Sequence, residues 1–291
     1  MSRILVTGAA GVVGGYVGEV FADHDLILTD IAGGLIELDV RDADAVRTLV
    51  LDARPDTVIH LAAATDVDRC EQDPDLAHGT NTGGTRNVAL ACREVDATLV
   101  YTSTAAVFSG EKQEPYTESD EPGPANVYGH SKLGGEREVE SLLDRYYVAR
   151  AGWMVGGGPK ERKFVGMMLG FLEEGRTELQ AVNDKFGSPT YAKDLATGIR
   201  HLLDTGFYGL YHLVNGGPSC SRYEVAVALC EILGRDDVTV EPVSSAFFPL
   251  PAPRARSEAM VNHKLEQLGI NPMRPWREAL EAYLIEELGR R

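Results

Sequence analysis

The stretch Arg3-Ile-Leu-Val-Thr-Gly-Ala-Ala-Gly-Val-Val-Gly14 decides the fold. Ile4 to Thr7 is a short apolar run with β propensity and reads as a strand. Val12 to Phe21 carries the pattern of the helix that follows. Between them, Gly8, Gly11 and Gly14 recur at three-residue intervals. In a strand–loop–helix unit each glycine has its own task. The first permits a tight turn, the second lets the backbone approach a pyrophosphate, and the third lets helix and strand pack closely. Free N–H groups at the helix start then face the phosphates, so Ala10, Val12 and Val13 join the glycines as candidate cofactor-binding residues. The spacing alone also fits a plain strand-to-helix turn.

Outward from this loop the chain alternates strand and helix patterns. Strands are expected at Leu26–Thr29, Thr57–His60, Thr98–Tyr101 and Tyr147–Arg150. Helices are expected at Asp42–Leu51, Pro74–Val95 and Tyr128–Tyr146, with Gly79, Gly83 and Gly84 as soft points in the second. Such alternation implies right-handed crossovers and a parallel sheet. The expected architecture is α/β, a Rossmann-type doubly wound parallel sheet with a smaller mixed α/β substrate-binding domain. Residues 1–155 would form the dinucleotide-binding domain and 156–291 the smaller one, with 183–215 packing back onto the sheet. In the second half, helices are expected at 164–174, 192–203, 221–233 and 275–288, and a strand at 210–214. Phe247–Pro253 has three prolines and is expected to be extended.

The second strand ends at Asp30, 22 residues after Gly8. A carboxylate there accepts hydrogen bonds from an adenosine ribose diol and repels a 2′-phosphate. No cationic residue follows before Arg41, which favours NAD(H), with NADP(H) as the alternative. Asp39 is a candidate reader of the adenine amino group, or equally a helix cap.

Composition narrows the partners. The 291 residues carry 28 Lys+Arg against 44 Asp+Glu, a formal net charge of −16. Such a surface repels phosphate backbones, so no nucleic-acid partner is expected. No apolar run is long enough for a membrane helix, and the N-terminus lacks a signal-peptide layout. Cys70, Cys92, Cys220 and Cys230 show no CxxC spacing, so neither a disulfide framework nor a metal site is expected. A reducing cytoplasm fits this usage.

Tyr128-Gly-His-Ser-Lys132 places Tyr128 and Lys132 four residues apart, on one helical face. An ammonium one turn away would stabilise the phenolate and lower the tyrosine pKa. Tyr128 could then protonate a carbonyl oxygen as hydride reaches its carbon, while Lys132 also held the nicotinamide ribose. Ser103 and Thr104 follow the fourth strand, where a hydroxyl could bond the same oxygen.

With these motifs the chain resembles the extended short-chain dehydrogenase/reductases and, within them, the dTDP-4-dehydrorhamnose reductases. The resemblance runs over nearly the whole length. It is carried by Arg54–Asp68 with Glu71 and Pro74, by Asn126–Leu133 with Gly135 and Glu136, by Asn183–Thr190 and by Gly209–Val214. It implies a catalytic trio of Thr104, Tyr128 and Lys132. It implies that Ala62, Ala63 and Ala64 line the nicotinamide side, with Val40 and Leu61 completing the cofactor set. Asn81 would support the site from behind, and Val67, Asn126 and Trp153 would touch the sugar. The implied reaction is reduction of a nucleotide-linked 4-keto-6-deoxy sugar.

Two departures matter. Reductases of this kind carry Asp-Tyr after the catalytic Thr, where this chain has Ala105-Ala106. Sugar 4,6-dehydratases carry Asp-Glu there, so dehydration is disfavoured. The Ala-Ala pair resembles sugar-nucleotide 4-epimerases, which keeps an NAD-dependent epimerase open. A non-catalytic, cofactor-binding regulatory subunit is the third reading. Pro253-Arg-Ala-Arg-Ser257 stands where the family has Arg-Pro-x-Asn-Ser. Arg254 and Arg256, with Lys160, Arg162 and Lys163 in a second loop, are the expected anchors of the substrate diphosphate. The partner is therefore a nucleotide-diphosphate sugar, and a homodimer stays open.

Overall fold

The computed structural model describes residues 1–290. Six strands, β1 (Arg3–Thr7), β2 (Asp25–Asp30), β3 (Ile36–Glu37), β4 (Thr57–His60), β5 (Thr98–Thr104) and β6 (Tyr146–Ala151), form one parallel sheet with the later strand Gly209–His212. Its order is Gly209–His212, β6, β5, β4, β1, β2, β3. The chain builds outward from β1 to β3, returns, and builds β4 to β6 on the other side. The reversal sets Thr7 of β1 beside His60 of β4. At such a switch point an open α/β sheet leaves a crevice outside its carboxyl ends.

Central strands are apolar along their length because helices cover both faces. Period-two alternation divides them between two cores. Ile4, Val6, Ile59 and Val100 enter one, and Leu5, Val58, Leu99 and Tyr101 the other. Some of the covering helices start on side-chain caps, others do not. Asp42 accepts from Ala45 N ahead of α2 (Ala43–Ala53), after α1 (Gly14–Val20). The expected helix at 74–95 is instead three pieces. These are α4 (Pro74–His78), a π-helical turn at Gly79–Gly84, and α5 (Thr85–Val95), preceded by the short α3 (Val67–Gln72). The widened turn falls on the soft glycines. A Cβ at Gly84 would stand 2.7 Å from a Val40 methyl.

α6 (Val127–Leu142) follows β5, and a smaller set of strands lies beyond β6. Trp153–Val155 pairs with Pro189–Tyr191, and Glu178–Val182 with Thr239–Val243. Phe186–Gly187 lies between Cys220–Ser221 and Ser257–Glu258. The helix Arg222–Ile232 opens with a reciprocal cap between Ser221 and Glu224. The expected final helix is α-helical over Trp276–Glu281 and π-helical over Ala282–Glu287. The expected extended run at 247–253 begins as a tight turn at Ser245–Phe247, leaving Phe247, Phe248 and Leu250 exposed. Among the described residues, no helix is long and apolar enough to cross a membrane.

Candidate active site

The glycine loop has the tightness its spacing predicts. Gly8 has φ +73°, and a Cβ there would lie 2.5 Å from Ala62 N. A Cβ on Gly14 would lie 2.4 Å from the Ala9 carbonyl oxygen. Both contacts are with backbone, so nothing flexible can yield. Asp30 sits beside the loop, its Oδ2 accepting from Ala10 N at 2.9 Å and its Oδ1 from Ala32 N at 3.2 Å. Ala62, Ala63 and Ala64 follow β4 and are half-buried. Asn81 is fully buried behind them; it accepts from Ala64 N and donates to Ala64 O and Ser131 Oγ. The π-helical turn thus carries the residue that pins the alanine strip.

His60 lies deeper, between Thr7 Oγ1 at 2.7 Å and Thr85 Oγ1 at 3.1 Å. Burial drives its pKa down to about 3, so the ring is neutral. It joins the end of β1 to the helix behind the sheet.

Thr104 and Tyr128 come together at the carboxyl end of β5. Burial raises the Tyr128 pKa to about 12, and interaction with the Thr104 side chain is the influence that lowers it. The phenol therefore holds its proton at neutral pH. Lys132 departs from expectation. Its Nζ donates to Thr102 O at 2.8 Å and stands 4.1 Å from the Tyr101 ring centre. Burial instead lowers Lys132 itself, to about 7. The backbone acceptor captures the ammonium because α6 packs tightly on β5, where Tyr101 Oη also donates to Lys132 O.

Four more expected contacts are otherwise engaged. Ser103 is buried and donates to Glu136 Oε1 at 2.5 Å, because alternation along β5 turns it away from Thr104. Asn126 caps α6 by accepting from Gly129 N, and its amide donates to Pro253 O. The Asp39 carboxylate is forked onto Arg41, and Asp42 takes the capping role. Arg254 pairs with Asp68 at 3.0 Å. The basic loop also divides. Lys160 Nζ lies near the first turn of α1, 3.7 Å from where a Gly15 Cβ would be, so it borders the glycine loop. Arg162 and Arg256 make no side-chain hydrogen bond among the described residues.

Trp153 is half-buried in the short strand beyond β6. Its Nε1 donates to Glu258 Oε2 at 2.8 Å, and the Arg222 guanidinium lies 3.8 Å from its ring centre and 5.1 Å from that of Phe164. The Arg222 side chain makes no hydrogen bond among the described residues, and burial lowers its pKa to about 10. The Glu258 charge acts on both Tyr128 and Arg222, raising both pKa values. Desolvation and then the Arg222 charge lower the pKa of Lys163, although the residue is exposed. Half-buried Val67 opens α3 nearby, next to Asp66, whose charge acts on Lys163. Arg222 and Glu258 were not foreseen. Arg222 follows a helix cap, and only the stacking in three dimensions marks it. No group of three or more His, Cys, Asp or Glu among the described residues is placed to hold a metal.

The geometry agrees with three comparisons. The chain is 40% identical over 283 residues to a dTDP-4-dehydrorhamnose reductase of Mycolicibacterium smegmatis, covering 96% of this chain and 84% of that protein. A solved dTDP-4-dehydrorhamnose reductase from Clostridium acetobutylicum superposes with TM-score 0.92 at 36% identity, covering 99% of each chain. One from Bacillus anthracis, in complex with NADP, gives TM-score 0.91 at 37% identity, covering 98% of this chain and 99% of that one. The model of the RmlD substrate binding domain matches residues 1–288, and the chain belongs to that family.

Proposed function

We propose that this protein reduces the keto group of a nucleotide-linked 4-keto-6-deoxy sugar. The observation that carries the reading is Thr104 facing Tyr128 at the open carboxyl end of β5, with Lys132 directly behind. The glycine cradle fits a dinucleotide, since side chains at Gly8 and Gly14 would fill it. Gly8, Ala10, Gly11, Val12, Val13 and Gly14 would hold the diphosphate, and Asp30 the adenosine ribose. When bound, reduced nicotinamide supplies the hydride that this chain cannot.

The residues do the rest. Tyr128 keeps its proton near neutral pH and gives it to the keto oxygen as negative charge develops there. Thr104 donates a hydrogen bond to the same oxygen and orients it. Lys132 lends its positive charge to the tyrosine as it turns toward the phenolate that proton loss creates. Ala105 and Ala106 are buried and carry no acid, so this site has no second acid–base pair for eliminating water. Arg222, stacked on Trp153, and the exposed Lys163 supply cations for a diphosphate in an otherwise acidic protein.

NADH is favoured over NADPH. Asp30 would oppose a 2′-phosphate, and Arg41, the nearest cation downstream, is held by Asp39. An assay of nucleotide 4-keto sugars with NADH and NADPH tests the whole reading. Steady, stoichiometric NADH oxidation supports it. Tightly retained NAD with interconversion of two sugar epimers, and no net oxidation, would replace reduction by epimerisation.

A further inference from the structure

Three consecutive residues of β5 each engage a different turn of α6. The Thr102 carbonyl accepts from Lys132 Nζ, the Ser103 hydroxyl donates to Glu136, and Thr104 faces Tyr128. Tyr128, Lys132 and Glu136 stand four residues apart, on successive turns of one helical face. The third member has no place in the reaction described above. We propose that Glu136 is a positioning residue of the active site, a buried and rigidly held carboxylate one turn beyond Lys132 on the same helical face that keeps the ammonium charged. The proposal rests on the reductase reading.

Glu136 is itself rigidly fixed. Arg150 of β6 forks onto it, Nε to Oε1 at 2.9 Å and Nη2 to Oε2 at 2.7 Å. Arg150 pairs in register with Ser103, so two adjacent strands present both partners to one carboxylate. Glu136 is 1% exposed and Arg150 2%. Charges at such depth are weak contributors to stability, since apolar side chains of similar volume often serve as well. A buried carboxylate has a stronger effect on a nearby buried ammonium.

Lys132 has few other supports. Facing it are the neutral ring of His60 from β4, the Tyr101 ring from β5 and Tyr128 from its own helix. Burial works against its charge, and Glu136 is the group that works for it. Around Glu136 stand Arg150, Ser103, Tyr101 and, one turn on, Glu140. Arg150 in turn faces Phe108 and neutral His212. Among the described residues, no second acid is placed to replace Glu136 in this role.

The sign follows. Reduction needs charged Lys132, so activity falls as pH rises through its pKa, and removing Glu136 moves that fall to lower pH. Glu136→Gln tests this but leaves Arg150 buried without a partner. Glu136→Leu with Arg150→Met removes both charges and serves as the second variant. In each, the alkaline limb of kcat/KM is expected to move down by at least about one pH unit, with Glu136→Asp close to the parent. NMR titration of the Lys132 ε-carbon should show the same downward shift. An unmoved limb and an unmoved titration in a folded variant overturn the proposal, even if turnover falls, because a purely structural role would do that. The NMR titration needs no turnover, so it decides the point even if the parent protein reduces no keto sugar.

Discussion

Lys132 Nζ donates to Thr102 O at 2.8 Å, although Tyr128 stands only one helical turn away. The helix puts both residues on one face, and packing against β5 gives the ammonium a nearer acceptor. Tyr128 is thus a protonated acid in the resting site, its pKa about 12. Lys132 becomes useful to it only as the phenol loses its proton.

Tyr128→Phe should therefore remove turnover and spare the cofactor. A general acid is worth about 10²–10⁴-fold. Steady-state kinetics with a keto-sugar nucleotide measures the loss, and dinucleotide titration checks that affinity is unchanged. Retention of more than about a tenth of the activity would take the proton-donor role from Tyr128.

The pH profile should be set by Lys132. Its pKa is lowered by burial to about 7, so the charged form is lost as pH rises through neutrality. kcat/KM is expected to fall on the alkaline side, because that ratio reports the free enzyme. A profile flat from pH 6 to 9 would contradict this.

Asp30→Ala should narrow the gap between NADH and NADPH by weakening NADH and relieving repulsion of the 2′-phosphate. Equilibrium titration of both cofactors against both proteins decides it. Tighter NADPH binding by the parent protein would sink the preference.

Arg222→Ala should raise KM for the nucleotide sugar about 10- to 100-fold, the worth of charge-assisted bonds to a diphosphate. NADH affinity should be unchanged. The double change Arg254→Ala and Arg256→Ala should cost less, since Arg254 already pairs with Asp68. Equal KM values in parent and Arg222→Ala protein would return the cleft cation to a packing role on Trp153.

Gly14→Ala should destabilise the protein by about 1–3 kcal/mol and weaken cofactor binding. The added methyl meets the Ala9 backbone, which can move only by opening the loop. Thermal unfolding with and without NADH measures both effects. An unchanged midpoint would show that the loop is looser than its contacts imply.

Local patterns determined much of this protein. The glycine spacing, the alternation of apolar strands with helices, and the four-residue step from Tyr128 to Lys132 are properties of neighbours in the chain. Backbone geometry turns such spacing directly into loops, strands and faces. Asn81, too, stands behind the alanine strip as the resemblance implies. The tertiary structure decided which side chains were free to act. Ser103 and Thr104 are adjacent in sequence, but alternation sends one to Glu136 and the other to Tyr128. Arg254 and Asn126 have suitable chemistry for a substrate, yet partners 186 and 127 residues away occupy them, Asp68 and Pro253. Arg222 gained its place only when Trp153 and Phe164 were folded beneath it. Spacing fixes geometry within one element, whereas the availability of a polar group depends on what distant parts of the chain bring to it.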